Sequence, residues 1–369
     1  MIVHNWELRP ITEMQEFEHI VDLEIKVWGL EARDAVPSNL LHAMANNGSL
    51  VLGAYTPNQC LIGLSLAFPV PRVKQNILWS HMTAVHPEYQ GKGLGFELKQ
   101  YQRTWGMERG YKSIGWTFDP LQRGNANFNI HVLGATSNHY HIDFYGEMTD
   151  SINAGLPSDR LEATWTLNDK NVKRLARKKD RVPLEINENT QIYTLKNNQN
   201  SNIQFTKPTG NLLKTYLAEI PADLATLKRK NSALALEWRL QLRKALIHLF
   251  SLGYSIQDLV RIDDRFYYVL ERSRIWYMYV LECSDGTLYT GITPNIRNRV
   301  DMHNKGKGAH YTATRRPVKF LIAWEYLART HALKAERAFK DMSRNKKLTY
   351  IAQQDQFMDA PVVLETNDL

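Results

Sequence analysis

The sequence predicts a mixed α/β (α+β) fold divided between two domains. A chain of 369 residues is longer than one ordinary hydrophobic core needs. Residues 1–166 alternate strand and helix patterns, which indicates a mixed sheet with flanking helices. A new hairpin pattern begins near Arg274. We therefore expect a first domain over residues 1–272 and a second over residues 273–369.

Apolar spacing and turn residues define the elements of the first domain. Helical spacing predicts helices over Met14–Trp28 and Phe96–Arg109. Runs bounded by turn residues predict four strands, at Leu50–Tyr55, Leu61–Phe68, Ile77–Val85 and Lys112–Phe118. The polar stretch near 170–211 is expected to be a surface excursion, because charged residues, Asn, Gln and Thr dominate it. Residues 222–253 are expected to form a helix that ends at Gly253.

Charge is distributed unevenly along a chain whose net charge is +8. Residues 1–166 hold 12 basic and 17 acidic residues, whereas residues 274–350 hold 15 basic and six acidic residues. Basic clustering suits a polyanion such as nucleic acid, and it also suits a solvated surface. Cys60 and Cys283 are too few for a disulfide framework or a zinc site. With no signal-peptide pattern after Met1 and no membrane-length apolar run, we expect a cytoplasmic protein.

A glycine-rich loop joins the third predicted strand to the following helix. Its residues are Gln90, Gly91, Lys92, Gly93, Leu94 and Gly95. Glycines allow a tight turn with accessible N–H groups, and the helix start adds partial positive charge, so the loop can cradle a pyrophosphate. The glycine spacing does not fit the Gly-x-Gly-x-x-Gly pattern of a Rossmann loop.

This strand, loop and helix resemble the acetyl-CoA site of GNAT acyltransferases. The resemblance implies acetyl-CoA as cofactor and places Thr83, Ala84 and Val85 beside its pantetheine arm. The stretch from Asn125 to Ala135 resembles the second GNAT motif, a helix that flanks CoA. Further motifs, from Asp119-Pro120-Leu121 to Glu237-Trp238-Arg239, resemble those of a large prokaryotic GNAT subfamily. That resemblance covers roughly residues 1–270 and leaves the acetyl acceptor unknown.

Several residues are candidates for proton transfer or acceptor binding in this domain. Many GNAT enzymes carry a tyrosine at the position of Ile130, so His131, Tyr140 or Tyr145 would have to replace it as the acid. Glu88 and His81 are candidates for the base that deprotonates an amine. His139 and His141 face the same way on a predicted strand, as a metal pair or as a structural pair. Three helical residues either contact the acceptor or belong to an ordinary amphipathic helix: Trp238, Arg239 and Arg243.

The second domain begins with a hairpin. Its strands are predicted at Trp276–Leu281 and Leu288–Ile292, joined by a turn at Ser284–Thr287. A third strand, Lys319–Tyr326, and a helix, Ala332–Met342, follow. We expect a three-stranded antiparallel sheet with helices.

This pattern resembles the GIY-YIG nucleases, most closely their small stand-alone bacterial members. The resemblance assigns five catalytic residues: Tyr279, Tyr289, Arg299, His303 and Glu336. It implies hydrolysis of DNA phosphodiester bonds with Mg²⁺ or Mn²⁺, which Glu336 would bind. Tyr277 replaces the first glycine of the name motif, and the second motif reads Tyr-Thr-Gly.

The residue types suit this chemistry. A carboxylate holds a hard cation that stabilises a leaving oxygen, and a guanidinium binds a phosphate through its planar fork. Tyr279, assisted by His303 or Tyr289, can activate a water molecule. Six residues are expected to contact the DNA backbone: Lys305, Lys307, Arg315, Arg316, Lys319 and Lys340.

The sequence therefore predicts a bifunctional fusion of a metal-dependent DNA endonuclease and an acetyl-CoA-dependent N-acetyltransferase. One alternative is a DNA-binding acetyl-CoA sensor with a weak nuclease. Another is an acetyltransferase that uses its basic domain only for recruitment.

Overall fold

The structure is a computed structural model that describes residues 5–71, 76–148, 154–179, 191–193, 213–272, 276–326, 329–353 and 363–365. The chain divides into two compact units, Met1–Arg272 and Ser273–Leu369. Among the described residues, no helix combines the length and the apolar character needed to cross a bilayer.

The first unit is built on an 11-stranded mixed sheet. Its strands, in chain order from β1 to β11, are Glu7–Pro10, Leu50–Tyr55, Leu61–Val70, Ile77–Val85, Ser113–Phe118, Thr136–His141, Arg160–Thr166, Gln191–Tyr193, Thr215–Ile220, Tyr254–Ile262 and Arg265–Arg272. They lie in the order β1-β2-β3-β4-β5-β7-β6-β10-β11-β9-β8. Pairing is antiparallel except between β4 and β5 and between β8 and β9. The four strands predicted in residues 1–166 are present, and they lie next to one another in the sheet.

Helices cover both faces of this sheet. Along the first unit, α1 to α7 are Met14–Trp28, Ser38–Asn46, Leu94–Glu108, Arg123–Ala126, Lys170–Ala176, Leu224–Lys230 and Ser232–Ser251. Helices α1 and α2 bury Phe17, Ile20 and Leu41 against β2, β3 and β4. Helices α3 and α7 contribute residues such as Leu98 and Leu246 to the larger core on the other face. This is the mixed α/β architecture that the alternating patterns predict.

Two stretches differ from the sequence-based expectation. Residues 170–176, expected in the surface excursion, form helix α5, which Asp169 caps by accepting from the N–H groups of Asn171 and Val172. Val172 is buried in the core, so one apolar residue anchors an otherwise charged helix. The stretch 187–211, also expected in that excursion, lies outside the described residues except for β8. The helix expected over residues 222–253 is two helices, because Asn231 leaves the helical conformation and caps α7.

The described part of the second unit is a small antiparallel sheet with four helices. Its strands β12 to β15 are Trp276–Glu282, Leu288–Thr293, Lys319–Tyr326 and Val363–Glu365, in the order β13-β12-β14-β15. Its helices α8 to α11 are Ile296–Asn304, His310–Ala313, Arg329–Lys340 and Arg344–Gln353. The three predicted strands are present, and β15 adds a short fourth strand beside β14. Met278 and Val280 of β12 face α10, whereas Tyr279 and Leu281 face the opposite side with Ile296 of α8.

Candidate functional sites

A gap opens in the first sheet between β4 and β5. These parallel strands pair only at Leu78 with Ile114 and at Trp79 with Gly115. From Ser80 to Val85, β4 stays paired with β3 on one side, and among the described residues no strand pairs with its other edge. Apart from the Val85 carbonyl, which accepts from Gln90, backbone groups that point to this edge are therefore available to an extended ligand. Thr83, Ala84 and Val85, which are expected beside the pantetheine arm, belong to this segment of β4.

The glycine loop lies directly after this open edge. Gln90 Nε2 donates to the carbonyl of Val85 at 3.0 Å, which ties the loop back to the strand. Gly91 and Gly93 have φ angles of 72° and 91°, a region that favours glycine. Gly93 precedes α3, so the N–H groups of Leu94 and Gly95 begin the helix without an intrahelical acceptor. Loop and helix start together form an anion cradle.

The remaining predicted cofactor contacts lie beside this cradle. Lys92 Nζ lies 5.2 Å from the ring centre of Tyr89. Asn125 is exposed in α4, and the π-helical turn Asn127–Val132 follows it. If Gly95 carried a Cβ atom, the ring of Phe128 in that turn would lie 3.7 Å from it. This segment therefore packs against the first turn of α3.

His81 occupies a β-bulge at the gap. Met82 pairs with Leu66 and Ser80 pairs with Ala67, so His81 is the extra residue in β4. Its side chain keeps exposed surface, and partial burial lowers its pKa, which leaves the imidazole neutral at neutral pH. Glu88, the other candidate base, is exposed and lines a separate cavity of about 500 Å³ with residues of α1 and β3.

The candidates for the general acid of acetyl transfer have different surroundings in the structure. Ile130 is an apolar side chain that is fully buried in the core, so it cannot supply a proton. His131 pairs with Asp258 at 2.9 Å. Tyr140 donates to Asp159 at 2.7 Å, and burial raises its pKa well above the ordinary value. Tyr145 is exposed, and its hydroxyl lies 3.3 Å from Oγ1 of Thr117 on β5, which borders the gap.

A buried lysine beneath the gap has no counterpart among the sequence-based predictions. Lys99 of α3 is 3 % exposed and donates to Ser80 Oγ and Gln102 Oε1, both at 2.9 Å. Its ammonium lies 3.9 Å from the ring centre of Trp116. Burial lowers the pKa of Lys99 to about 7. Gln102 donates onward to Ser65, whose hydroxyl lies 3.2 Å from that of Thr83. A hydrogen-bonded chain thus links the buried amine to the open strand edge.

The arginines of α7 form ion pairs inside the domain. Arg239 is 1 % exposed and binds both carboxylate oxygens of Asp119, at 2.8 and 2.7 Å. Arg243 binds both oxygens of Asp159 in the same way. These pairs join the motifs around Asp119 and Asp159 to α7. The sequence left open whether these arginines contact the acceptor or belong to an ordinary amphipathic helix. Their ion pairs support a structural role for both arginines.

A hydrogen-bonded chain crosses the predicted nuclease site of the second unit. Arg299 Nε donates to the hydroxyl of Tyr279 at 3.1 Å. That hydroxyl lies 2.9 Å from Nε2 of His303, whose Nδ1 lies 2.6 Å from Oγ1 of Thr312. Tyr289 packs against the same imidazole, with ring centres 4.9 Å apart. The structure therefore brings together four of the five residues that the resemblance assigns.

Thr312 determines which nitrogen of His303 carries the proton. Its hydroxyl donates to the carbonyl of Ala309 at 2.9 Å and so presents a lone pair to Nδ1 of His303. The Ala309 N–H approaches the same Nδ1 at 3.5 Å, which is too long to compete with that contact. Nδ1 is then protonated, and Nε2 accepts from Tyr279. The sequence-based prediction missed Thr312 because it lies nine residues after His303 on a separate short helix.

Burial sets the protonation states at this site. Tyr279 and His303 are both fully buried. Burial raises the pKa of Tyr279, and the hydrogen bond from Arg299 opposes that shift. Burial, and secondarily the charge of Arg299, lowers the pKa of His303 to about 4. At neutral pH the pair is a phenol donating to a neutral imidazole.

Two glycines make room for this arrangement. A Cβ atom on Gly291 would lie 2.7 Å from the Tyr279 hydroxyl. A Cβ atom on Gly308 would lie 2.4 Å from Nδ1 of His303. Gly291 is the glycine of the Tyr-Thr-Gly motif, so its packing role is direct: the tyrosine of one strand lies across the glycine of the next.

Glu336 lies on α10, which packs against the face of the sheet opposite to that of Tyr279 and Tyr289, so the described contacts do not join it to the other four assigned residues. Its side chain is 15 % exposed, and its carboxylate accepts from Lys340 Nζ at 2.7 Å. A largely shielded carboxylate whose ion-pair partner is an exposed lysine can exchange that partner for a hard cation. Mg²⁺ suits such a site, because it commonly binds through one or two carboxylates and keeps several waters.

The predicted DNA contacts are exposed basic residues in varied surroundings. Lys305 pairs with Asp301 at 2.5 Å, Arg315 with Asp285 at 2.9 Å, and Lys340 with Glu336. Arg316 donates to the carbonyl of Ala313. Lys307 and Lys319 are exposed.

Near them lies an aromatic residue that the sequence-based prediction missed. Tyr311 is 41 % exposed, and its ring stacks on that of Tyr289 with centres 6.2 Å apart. The guanidinium of Arg315 lies 4.3 Å from its ring centre.

Comparison with known proteins finds two families. Residues 12–128 match the family described as acetyltransferase (GNAT) family, and residues 275–349 match the GIY-YIG catalytic domain. A UPF0213 protein of Streptococcus agalactiae is 54 % identical over 77 residues, which are 21 % of this chain and 88 % of that protein. The UPF0213 protein YazA of Bacillus subtilis is 39 % identical over 93 residues, or 25 % of this chain and 94 % of that protein.

The solved structures found to be similar to part of this chain include acetyltransferases. The ribosomal-protein-S18-alanine N-acetyltransferase from Escherichia coli is 12 % identical with a TM-score of 0.36, covering 44 % of this chain and 95 % of that chain. The putative acetyltransferase yncA from Salmonella typhimurium, solved with acetyl-CoA, is 16 % identical with a TM-score of 0.35, covering 45 % and 96 %. The two matched families are those that the sequence motifs resemble.

Proposed function

Because the chain belongs to the GNAT family through residues 12–128 and to the GIY-YIG family through residues 275–349, we propose that it joins an acetyl-CoA-dependent N-acetyltransferase to a metal-dependent DNA endonuclease. The observation that carries the nuclease proposal is the hydrogen-bonded chain from Arg299 through Tyr279 and His303 to Thr312. Residues 1–272 would form the acetyltransferase domain and residues 273–369 the nuclease domain.

In the proposed nuclease reaction, Tyr279 and His303 move the proton of the attacking water. Tyr279 is protonated at neutral pH, so it is not itself a ready base. The water transfers its proton to the Tyr279 oxygen while the Tyr279 proton passes to Nε2 of His303. The water oxygen attacks phosphorus, and Tyr279 remains a neutral phenol, which its buried position favours. His303 ends as an imidazolium whose Nδ1–H points to Thr312.

A bound phosphate would prepare His303 for this role. The charge of Arg299 is one of the two causes that lower the pKa of His303. A phosphate held by the guanidinium offsets that charge, so the imidazole becomes a stronger base only when substrate is present. Glu336 would hold Mg²⁺ or Mn²⁺, which supplies charge stabilisation for the leaving oxygen. Lys307, Lys319 and the other exposed basic residues would position the DNA backbone.

In the proposed acetyl transfer, the open edge of β4 binds the pantetheine arm and the Gln90–Gly95 loop binds the pyrophosphate. An acceptor amine attacks the thioester carbonyl and gives its proton to His81, whose imidazole is neutral. The departing thiolate takes a proton from Tyr145 across the gap. The acceptor is an amine of unidentified structure.

One preparation of the full chain tests both halves of the proposal. Branched, nicked and single-stranded labelled DNAs are incubated with the protein and Mg²⁺, and acetyl-CoA binding is measured by calorimetry. We expect cleavage of at least one DNA and stoichiometric binding of acetyl-CoA. Binding of DNA and acetyl-CoA without any cleavage would instead support the acetyl-CoA sensor. Acetyl-CoA binding together with no cleavage and no DNA binding would leave only the acetyltransferase.

A further inference from the structure

We propose that His139, His141 and Glu162 bind a divalent transition-metal ion, with Zn²⁺ the best match, beside the gap between β4 and β5. Their ligand atoms lie within 4.8 Å of one another. Among the described residues, they are the one group of three His, Cys, Asp or Glu side chains close enough to share a metal ion. Neither proposed reaction uses these residues.

Strand register brings the three side chains to one face. His139 of β6 lies directly opposite Glu162 of β7, and His141 follows two residues later on the same side of β6. The extra residue in β6, Asn138, shifts the register so that an imidazole rather than an amide faces Glu162. All three residues lie in the antiparallel ladder of β6 and β7, so backbone pairing holds them in register. Such support is what a metal site needs.

The side-chain distances are close to those of a ligated ion. His141 Nε2 lies 3.0 Å from Glu162 Oε2. Ligands placed about 2.0–2.2 Å from a tetrahedral ion lie roughly 3.3 Å apart, so this pair needs little movement. The His139 ring centre lies 4.5 Å from that of His141, and His139 is exposed and can rotate toward the ion. No backbone movement is required.

The donor set indicates the kind of ion and of site. Two imidazoles with one carboxylate are typical ligands of Zn²⁺, whereas Mg²⁺ and Ca²⁺ prefer oxygen ligands alone. Three protein ligands leave the fourth position open to water or to a ligand. Phe144 packs on His141 with ring centres 4.7 Å apart and shields one side of the site. The open position therefore faces solvent on the other side.

The site would lie close to the gap. Glu162 of β7 lies opposite Thr117 of the neighbouring strand β5, and the Thr117 side chain contacts Tyr145. Strands are spaced about 4.8 Å apart, so the ion would lie on the order of 10 Å from the gap. Trp116 contacts Lys99 of α3, so its neighbour Thr117 and the metal cluster face the opposite side of the sheet from α3.

An ion pair alone is the competing interpretation. A protonated His141 beside Glu162 would account for their contact, but it would give His139 no role. The two interpretations differ in their prediction for His139→Ala. The metal proposal predicts that His139→Ala loses metal binding with an unchanged melting temperature of the metal-free protein, whereas the ion-pair interpretation predicts that neither the wild type nor the variant binds a metal ion at this cluster.

The test is titration of the metal-free full chain with Zn²⁺ by calorimetry, and with Co²⁺ by visible absorption. We expect the wild type to bind one ion whose Co²⁺ spectrum shows a four-coordinate site, and His139→Ala to bind about 100-fold more weakly. Exposed His310 supplies the matched control His310→Ala, which should bind as the wild type does. Glu336→Gln separates this ion from any bound at the nuclease site and should also leave the Co²⁺ spectrum unchanged.

Two outcomes would overturn the proposal. One is wild-type Zn²⁺ affinity in both His139→Ala and His141→Ala. The other is a transition-metal signal that disappears in Glu336→Gln but persists in His139→Ala. Because His139 is exposed, its substitution keeps the test decisive even where His141→Ala fails to fold.

Discussion

The Tyr279 hydroxyl lies 2.9 Å from Nε2 of His303, and both residues are fully buried. A phenol and an imidazole without a carboxylate form an uncharged pair at neutral pH, because burial moves their pKa values apart. Arg299, which is partly exposed, donates to the same hydroxyl. In the proposed mechanism, a phosphate that offsets the charge of Arg299 makes His303 a better proton acceptor.

Tyr279→Phe should abolish most of the cleavage. The substitution removes the oxygen that links water to His303 and keeps the ring that packs across Gly291. Loss of general-base assistance should lower the cleavage rate by on the order of 10²- to 10⁴-fold. DNA affinity, measured by fluorescence anisotropy, should remain within about twofold because Arg299 and the exposed lysines remain. A variant that cleaves as fast as the wild type would remove Tyr279 from the mechanism.

The pH dependence of stability reports on His303. Its pKa is lowered in the folded state to about 4, so between pH 4 and the unfolded value near 6.5 the unfolded chain binds more protons. Stability should therefore fall as the pH drops through this window, by up to about 3 kcal/mol from this residue. Urea unfolding of wild type and His303→Gln from pH 4 to 7 measures the difference. Parallel curves for the two proteins would show that His303 titrates normally.

The positive φ angle of Gly93 predicts a strict requirement for glycine. Gly93→Ala forces an alanine into the left-handed region, which costs on the order of 1 kcal/mol, and places a methyl group where the pyrophosphate would lie. Acetyl-CoA affinity should fall by on the order of 10- to 100-fold in calorimetry. Gly48 has a similar φ of 86° and equally open surroundings, so Gly48→Ala is the matched control for strain alone. Equal effects of the two substitutions on affinity would show that this loop does not bind the cofactor.

Lys99 makes stability rise with pH. Its folded pKa of about 7 is far below the unfolded value, so between pH 7 and 10 the unfolded chain binds more protons. The stability difference between wild type and Lys99→Met should therefore grow in favour of the wild type over this window, by on the order of 4 kcal/mol. Urea unfolding at pH 7, 8.5 and 10 checks it. A difference that does not change with pH would mean that the amine is charged inside the protein.

Local patterns predicted much of this molecule. The loop at Gly91 and Gly93 and the Tyr279 hairpin were accessible from sequence because turn residues and apolar periodicity act over a few neighbouring residues. Asn231 shows the limit of such patterns: the apolar spacing continues through it, but its side chain caps a new helix.

The features that local patterns did not predict depend on contacts between segments that are distant in sequence. Sequence spacing places Lys99 on the polar face of a helix, yet the residue is buried. Its burial is tolerated because Ser80 and Gln102 accept its hydrogen bonds. Glu162 joins His139 only through strand register across an intervening loop. Single-sequence periodicity carries no information about such long-range pairing.

Cleavage and binding by Glu336→Gln test the nuclease proposal most directly. The substitution keeps the shape of the side chain and removes the charge that would hold Mg²⁺ or Mn²⁺. We predict a loss of on the order of 10³-fold in cleavage rate of labelled DNA, with DNA affinity by anisotropy unchanged. Asp301 forms an ion pair of the same i,i+4 kind with Lys305 and has no assigned role, so Asp301→Asn is the matched control for a lost ion pair and should retain cleavage. Cleavage by Glu336→Gln at the wild-type rate would contradict the assignment of a metal-dependent nuclease to this site.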